Sequence, residues 1–167
     1  VQSSIDNGAS FVDSVTSATT SAIVTGLING TSYRFRVAAV NSAGTGTYSA
    51  TSSAVIPSTV PGAPVITQAT AGNGQASLVF TAPANNGGAA VTSYKVQYST
   101  NNGASFVDSV TSATTSATVI GLTNGTSYLF RVAAVNSAGT GNYSANSSAV
   151  IPVGLPGRSE EHTSELQ

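Results

Sequence analysis

Few side chains in this sequence can do acid–base, metal or nucleophilic chemistry, and their spacing does not suit it. The single His, His162, falls in the terminal stretch RSEEHTSELQ, so residues 1–157 cannot build a Ser-His-Asp triad or a histidine metal site. There is no Cys, which removes thiolate nucleophiles, thiolate metal sites and disulfides. Asp13 and Asp108 occupy equivalent positions in two copies of one stretch, so they are not an acid and base sharing a site. The glycines of AGTGN, residues 138–142, lack the Lys and the following helix of a phosphate-binding loop and read as a tight connection between strands. The sequence therefore predicts no catalytic residue, no metal ligand and no cofactor.

Binding chemistry has more to work with. Tyr143, with Tyr48 as its counterpart, is placed by the sequence in a loop between two strands, together with Thr140 and Asn142. A ring exposed there stacks on a sugar or on a partner surface, whereas a ring folded onto the domain edge only packs. Lys95 and Arg131 are expected to face outward on adjacent strands, as a small positive patch or as ordinary solvated residues. The partners this implies are a glycan or a cell-surface protein, beside neighbouring repeats of the same chain.

Charge excludes other classes. Only 7% of residues are charged, the net charge is −1, and without the last ten residues four basic side chains (Arg34, Arg36, Lys95, Arg131) face three acidic ones. Nucleic-acid binding needs clustered Lys and Arg, and these are scattered. No apolar run approaches the length of a membrane span, and no signal peptide is visible. The absence of Met reads as an internal stretch of a longer chain.

The elements that must position these residues are repeated. Val1–Pro57 aligns without gaps on Val96–Pro152, a period of 95, and differs at only nine positions: 3, 5, 6, 23, 25, 28, 34, 47 and 51 of the first copy. That period is too long for a solenoid unit and fits a small domain in tandem. Within the second copy, YLFRVAAVN places Tyr128, Phe130, Val132 and Ala134 on one face. VTSYKVQYS places Tyr94, Val96 and Tyr98 inside with Lys95 and Gln97 outside, and QASLVFT turns Leu78 and Phe80 inward. APANNGG, NNG, Asn124-Gly125 and AGTGN separate these runs, and helical periodicity persists nowhere. About seven short strands in about 90 residues predict an all-β, immunoglobulin-like antiparallel β-sandwich. Differences between the copies at Thr118/Ile23, Ile120/Thr25 and Leu129/Arg34 fall on outward positions. Tyr98/Ser3 does not, and is expected at a sheet margin or as a product of the incomplete first copy.

At this point the second copy resembles the fibronectin type III family in its bacterial extracellular style. The resemblance rests on PGAP at Pro61, Pro83, the Gly87-Gly88 pair, Tyr94 and Val96, GLTNGTSY from Gly121 to Tyr128, and FRVAAVNSAGTG. Leu122 and Tyr128, six apart across an Asn-Gly turn, resemble the family's tyrosine corner, whose hydroxyl bonds upstream backbone. Phe80 stands where the family usually carries a core Trp, which implies a smaller core. The integrin tripeptide of some animal members is absent from Ser137–Tyr143, so integrin recognition does not carry over. The implied organisation is one truncated repeat, 1–57, lacking strands A and B; a proline-containing linker, 58–62; a complete repeat, 63–152; and the start of another linker, 153–157.

The implied function is a non-catalytic spacer or interaction module in a tandem array of a secreted or surface-anchored bacterial protein, each repeat adding roughly 30 Å. Two alternatives stand beside it: an accessory domain of a secreted carbohydrate-active enzyme, and a ligand-binding adhesin module using the loop around Tyr143. Residues 158–167 resemble a sequencing adapter translated in frame, and the expectation for them is disorder without fold-specific contacts.

Overall fold

A computed structural model describes residues 1–154 and 156; Leu155 and residues 157–167, which include the adapter-like tail and the end of the second linker, lie outside the described residues. The chain is all-β and forms antiparallel sheets, with no helix among the described residues. It divides into two compact bodies. One comprises 1–62 with the segments 84–92 and 135–142, and the other 63–83, 93–134 and the described residues from Tyr143 onward.

The complete repeat shows how the pattern becomes a core. Strands β6 (Val65–Gly72) and β7 (Gln75–Thr81) form a hairpin around Asn73-Gly74, where Gly74 takes a φ of 62°. An Asn-Gly pair suits a two-residue hairpin turn because positive φ costs glycine nothing. Strand β10 (Ser116–Ile120) pairs along the other side of β7, giving the order β10-β7-β6. The second sheet runs β12-β11-β8-β9, with β8 at Ser93–Ser99, β9 at Val107–Ser112, β11 at Leu129–Asn136 and β12 at Gly139–Tyr143. Strict alternation in QASLVFT buries Ala76, Leu78 and Phe80 and leaves the residues between them exposed. From the other sheet Tyr94, Val96, Phe130 and Val132 are buried, and Phe80 meets Tyr94 edge-on with ring centroids 5.0 Å apart.

Tyr128 closes one corner of this core. Its hydroxyl accepts a hydrogen bond from the backbone N–H of Thr123 at 3.0 Å, while the N–H of Leu122 donates to the carbonyl of Gly74 at 2.9 Å. Tyr98, the residue before the last of β8, is half-buried and packs edge-on against Tyr128, with ring centroids 5.5 Å apart. In the first copy Ser3 takes that position and its hydroxyl accepts from Ser14 Oγ at 2.7 Å, so a polar contact replaces the aromatic one.

The first copy carries nearly the same residues with much less structure. Its strands are β1 (Gln2–Ser4), β2 (Val12–Asp13), β3 (Arg34–Arg36), β4 (Val40–Asn41) and β5 (Gly44–Thr45). The stretch matching β10 forms no strand, because nothing equivalent to β7 stands beside it to take its hydrogen bonds. The stretch matching β11 breaks at Val37–Ala39, beyond the point where β1, pairing Gln2 with Arg36, runs out of chain. Exposure follows: Val37 is 51% exposed and Val55 46%, against 0% and 3% for their counterparts Val132 and Val150. The tyrosine corner nevertheless persists, with the Ile28 N–H donating to the Tyr33 hydroxyl at 3.0 Å.

The linker is held rather than free. The Thr59 N–H donates to the Gly87 carbonyl and the Asn136 side-chain amide donates to the Thr59 carbonyl, each at 2.8 Å. A side chain at position 87 would place its Cβ 2.1 Å from the Thr59 oxygen, so this close approach requires glycine.

A domain margin of about 5–15 kcal/mol cannot absorb the loss of one covering sheet. A peptide of residues 1–57 is therefore expected to show no cooperative transition in a urea or thermal scan, and one of residues 61–152 to unfold as a single two-state unit.

Candidate functional site

Lys95, Arg131, Thr140, Asn142 and Tyr143 do not converge on one point. Gly139–Tyr143 forms strand β12, not a loop; the reversal is confined to Ser137-Ala138, because ladder hydrogen bonds to β11 begin directly after it. The loop placement of Tyr143, Asn142 and Thr140 is thereby corrected. Strand alternation then turns Thr140 and Asn142 to the face opposite Tyr143. Lys95 is exposed on β8, opposite Thr111 of β9 and two residues from Gln97.

What the fold does bring together is a stack on the outer face of the four-stranded sheet. The Arg131 guanidinium carbon lies 3.8 Å from the centroid of the Phe106 ring and 4.3 Å from that of Tyr143. Its Nε donates to Gln97 Oε1 at 2.8 Å, and Gln97 Nε2 donates to Asp108 Oδ1 at 2.7 Å. Phe106, Gln97, Arg131 and Tyr143 are each half-buried, so each ring gives one face to the cation. Burial raises the Tyr143 phenol pKa above its usual value; the nearby Asp108 carboxylate adds to this and Arg131 opposes it. The positive patch expected of Lys95 and Arg131 is therefore unequal: Lys95 is solvated, while the charge of Arg131 is enclosed by aromatic faces and an amide.

The first copy builds the same stack. Arg36 lies 4.0 Å from the Phe11 centroid and 4.3 Å from that of Tyr48, its Nε donates to Gln2 Oε1 at 2.8 Å, and Gln2 Nε2 donates to Asp13 Oδ1 at 3.0 Å. It survives where the core is half open: Gln2, Phe11, Asp13 and Arg36 come from β1, β2, β3 or the residues next to them, and Tyr48 from the segment after β5, whose Ser49 N–H donates to the Val37 carbonyl. An open groove lined by Val1, Asp13, Val15, Val40 and Tyr48 runs along it. Phe106, Gln97 and Asp108 escaped sequence reasoning. The usable signal was the outward register of Gln97 and Arg131 on neighbouring strands, with an aromatic residue after each of the two turns that flank them.

The turn after β1 and β8 also differs between copies. The Asp6 carboxylate accepts hydrogen bonds from the Ser10 hydroxyl, from the Ser10 N–H at 2.9 Å and from the Ser4 hydroxyl at 2.6 Å. The Ser10 donors first, then Ser4, hold its pKa far below the usual 3.8. In the second copy Asn101 accepts from Ser99 Oγ at 2.8 Å and from the Ser105 N–H at 3.0 Å, with no proton to gain. Among the described residues no group of three or more His, Cys, Asp or Glu side chains is placed to hold a metal ion.

Two outcomes follow from this geometry. Arg131→Ala removes a cation held between two rings together with its amide bond, and should lower unfolding stability by about 1–3 kcal/mol, read as a lower urea midpoint. Arg131→Lys should recover only part of this, since an ammonium lacks the planar fork. On acidification, a carboxylate with a depressed folded pKa stabilises its turn above the unfolded value and loses that contribution as pH falls below it. The Ser10 amide resonance should hold its position through pH 3.8 and move only well below it, while the Ser105 amide stays put.

Comparison with known proteins agrees with the antiparallel sheets. The model of the Fibronectin type III domain matches residues 1–55 and 61–150. Chitinase A1 of Niallia circulans is 40% identical over 154 residues, covering 86% of this chain but 20% of that protein, so the chain spans about a fifth of this relative's length. Among solved structures, a run of titin domains superposes with a TM-score of 0.62 over 92% of this chain and 54% of that one; at 21% identity it speaks for the fold alone. The titin kinase with its flanking domains is 30% identical, with a TM-score of 0.51, over 56% of this chain and 17% of that one. Both copies, including the one with the half-open core, thus fall within the matched stretches, and the chain belongs to the fibronectin type III domain family.

Proposed function

We propose that the chain is a non-catalytic spacing module of a secreted or surface-anchored bacterial protein. The observation that carries this reading is the outer-face stack. In both copies the aromatic rings that a ligand would use as a platform each have a face covered by the module's own Arg. That is how a side chain serves rigidity rather than recognition. The eight residues of β11, at about 3.3 Å each, give a repeat a length of about 26 Å.

A second reading is favoured by the relative. A match of 40% identity to a part of a chitinase supports an accessory role in a secreted carbohydrate-active enzyme, with catalysis carried by other parts of that protein. The two readings share a mechanism, which is to set the distance between working domains.

The adhesin alternative gives the opposite result in a simple assay. With insoluble chitin as probe, a spacer leaves the chain in the supernatant, and Tyr48→Ala and Tyr143→Ala change nothing. Retention of the wild type that either substitution abolishes would replace spacing by glycan binding.

A further inference from the structure

Six Asn-Gly pairs punctuate the sequence: Asn7-Gly8, Asn29-Gly30, Asn73-Gly74, Asn86-Gly87, Asn102-Gly103 and Asn124-Gly125. Such a pair can modify itself, because glycine has no Cβ to keep its nitrogen from the preceding side chain. The Gly nitrogen gives up its proton and bonds to the Asn Cγ, the Cγ–Nδ2 bond breaks, and ammonia leaves with the proton. Water then opens the five-membered succinimide at either carbonyl, giving an aspartyl or an isoaspartyl residue. A folded chain opposes this in two ways: a hydrogen bond that fixes the Gly N–H, and one that fixes the Asn side-chain amide.

Four pairs are held firmly. The Gly30 and Gly125 N–H groups donate to the Pro57 and Pro152 carbonyls at 2.9 and 2.8 Å. Asn124 Nδ2 donates to Asn73 Oδ1 at 2.9 Å, while Asn124 Oδ1 accepts from the Gly74 N–H at 2.9 Å, which locks two of the side chains together. Asn86 Oδ1 accepts from the Gly88 N–H at 2.9 Å, and the Gly87 N–H donates to Asn85 Oδ1 at 2.8 Å. The other two pairs occupy equivalent turns, after β1 and after β8. Asn7 and Asn102 are both exposed, with φ of 62° and 57°, and the Gly N–H of each turn donates to a hydroxyl, Ser4 Oγ or Ser99 Oγ, at 2.9 Å. One side-chain rotation withdraws a hydroxyl, whereas a backbone carbonyl stays where the chain puts it.

These two turns differ in what lies over the Asn amide. A side chain at position 8 would place its Cβ 3.9 Å from Arg34 Cδ, and one at position 103 would place it 3.8 Å from Leu129 Cδ1, so Arg34 and Leu129 cover the same spot. Arg34 Nε donates to Asn7 Oδ1 at 2.7 Å and its Nη1 to the Ser52 carbonyl at 2.9 Å, a charged clamp anchored at its far end. Leu129 has no donor to offer. The hydrogen bonds of the second turn fall on Ser99, Asn101, Gly103 and Ser105, and among the described residues the Asn102 side chain has no partner. We propose that Asn102 is a self-modification site, passing with Gly103 through a succinimide to aspartyl and isoaspartyl residues, and that the Arg34 clamp protects Asn7 from the same reaction. The product puts a carboxylate, and in the isoaspartyl form an added main-chain carbon, into the turn that leads to Phe106 and so to the Arg131 stack. The complete repeat thereby gains a negative charge with age that the first copy does not.

The test incubates the whole chain in mildly alkaline buffer and follows deamidation at every pair by peptide mapping; residues 5 and 6 differ from residues 100 and 101, so the two turns give distinct peptides. Asn102 should convert fastest of the six and at least about tenfold faster than Asn7, the factor carried by one charge-assisted hydrogen bond. In urea the two rates should converge, which assigns the difference to the fold. The residues at the equivalent positions supply the variants: Arg34→Leu should bring Asn7 to the rate of Asn102, and Leu129→Arg should slow Asn102. Equal rates in the folded chain, a faster reaction at any other pair, no conversion of Asn102 while the urea-unfolded chain converts, or an Asn7 rate unchanged by Arg34→Leu would each overturn the proposal. So would a slower Asn7 in Arg34→Leu, which would make Arg34 a donor to the developing oxyanion instead of a clamp.

Discussion

Two sheets must close on each other for either to persist, and in this chain one sequence meets that constraint once and misses it once. Phe130 and Val132 are fully buried in the repeat that has β7, whose Leu78 and Phe80 are buried with them and whose Phe80 meets Tyr94 of the other sheet. The same Phe-Arg-Val run in the first copy keeps three residues of strand and loses the rest. SATTSA is the same in both places and its flank differs only by Ile23 for Thr118 and Thr25 for Ile120, yet β10 forms only where β7 offers its N–H and carbonyl groups. Strand propensity here is a capacity to fit a partner, not a property of the segment alone. What the first copy retains is the tyrosine corner and the Asn7-Gly8 turn, which local contacts supply, and the Arg36 stack, which its own outer face supplies.

The Arg stacks explain how a module with so little charge keeps its outer face ordered. A four-stranded sheet packed on one side only leaves a pleated surface on which long side chains wander. Placing Arg131 between Phe106 and Tyr143, with Gln97 and Asp108 completing the chain of hydrogen bonds, ties β8, β11, β12 and the start of β9 together on that surface. Arg131 and Asp108, and Arg36 and Asp13 in the first copy, thus each have a partner of defined geometry, while Lys95 stands in solvent. Aromatic residues that look like ligand platforms in a bare sequence are instead the walls of a cation site filled from within.

Much of the fold was legible in the residues. Alternation in QASLVFT, VTSYKVQYS and YLFRVAAVN identified the inward faces, and Asn-Gly pairs identified the turns, because both signals are local and follow from backbone geometry. The period of 95 set Val1 opposite Val96 of β8, which is why residues 1–57 were expected without a covering pair of strands. The site was less legible. Tyr143 was assigned to a loop because GTGN is rich in turn residues, but glycines at 139 and 141 accompany a strand that pairs directly after a two-residue reversal. Phe106 was passed over because its role depends on which residues three other strands bring beside it. Comparing the copies could not expose the stack either: all five members are the same in both, and so is most of the rest.

The nine differences between the copies carry the remaining information, and they sort by what surrounds them. Ile23 and Thr25 can exchange character with Thr118 and Ile120 because these positions face water in both copies. Arg34, in place of Leu129, reaches Asn7 Oδ1 at 2.7 Å and the Ser52 carbonyl at 2.9 Å, an exposed polar bracket where the second copy has an apolar one. Asp6 and Asn101 use the same two serine donors in the same turn, so one copy of the loop gains a pH response that the other cannot have. Only Ser3 for Tyr98 removes a contact from the inner face, and it falls beside the tyrosine corner, the part of the first copy that holds without a covering sheet. Divergence between the repeats has accordingly fallen mostly on positions that face water, and the residues of the two Arg stacks and of the Tyr33 and Tyr128 rings are the same in both copies.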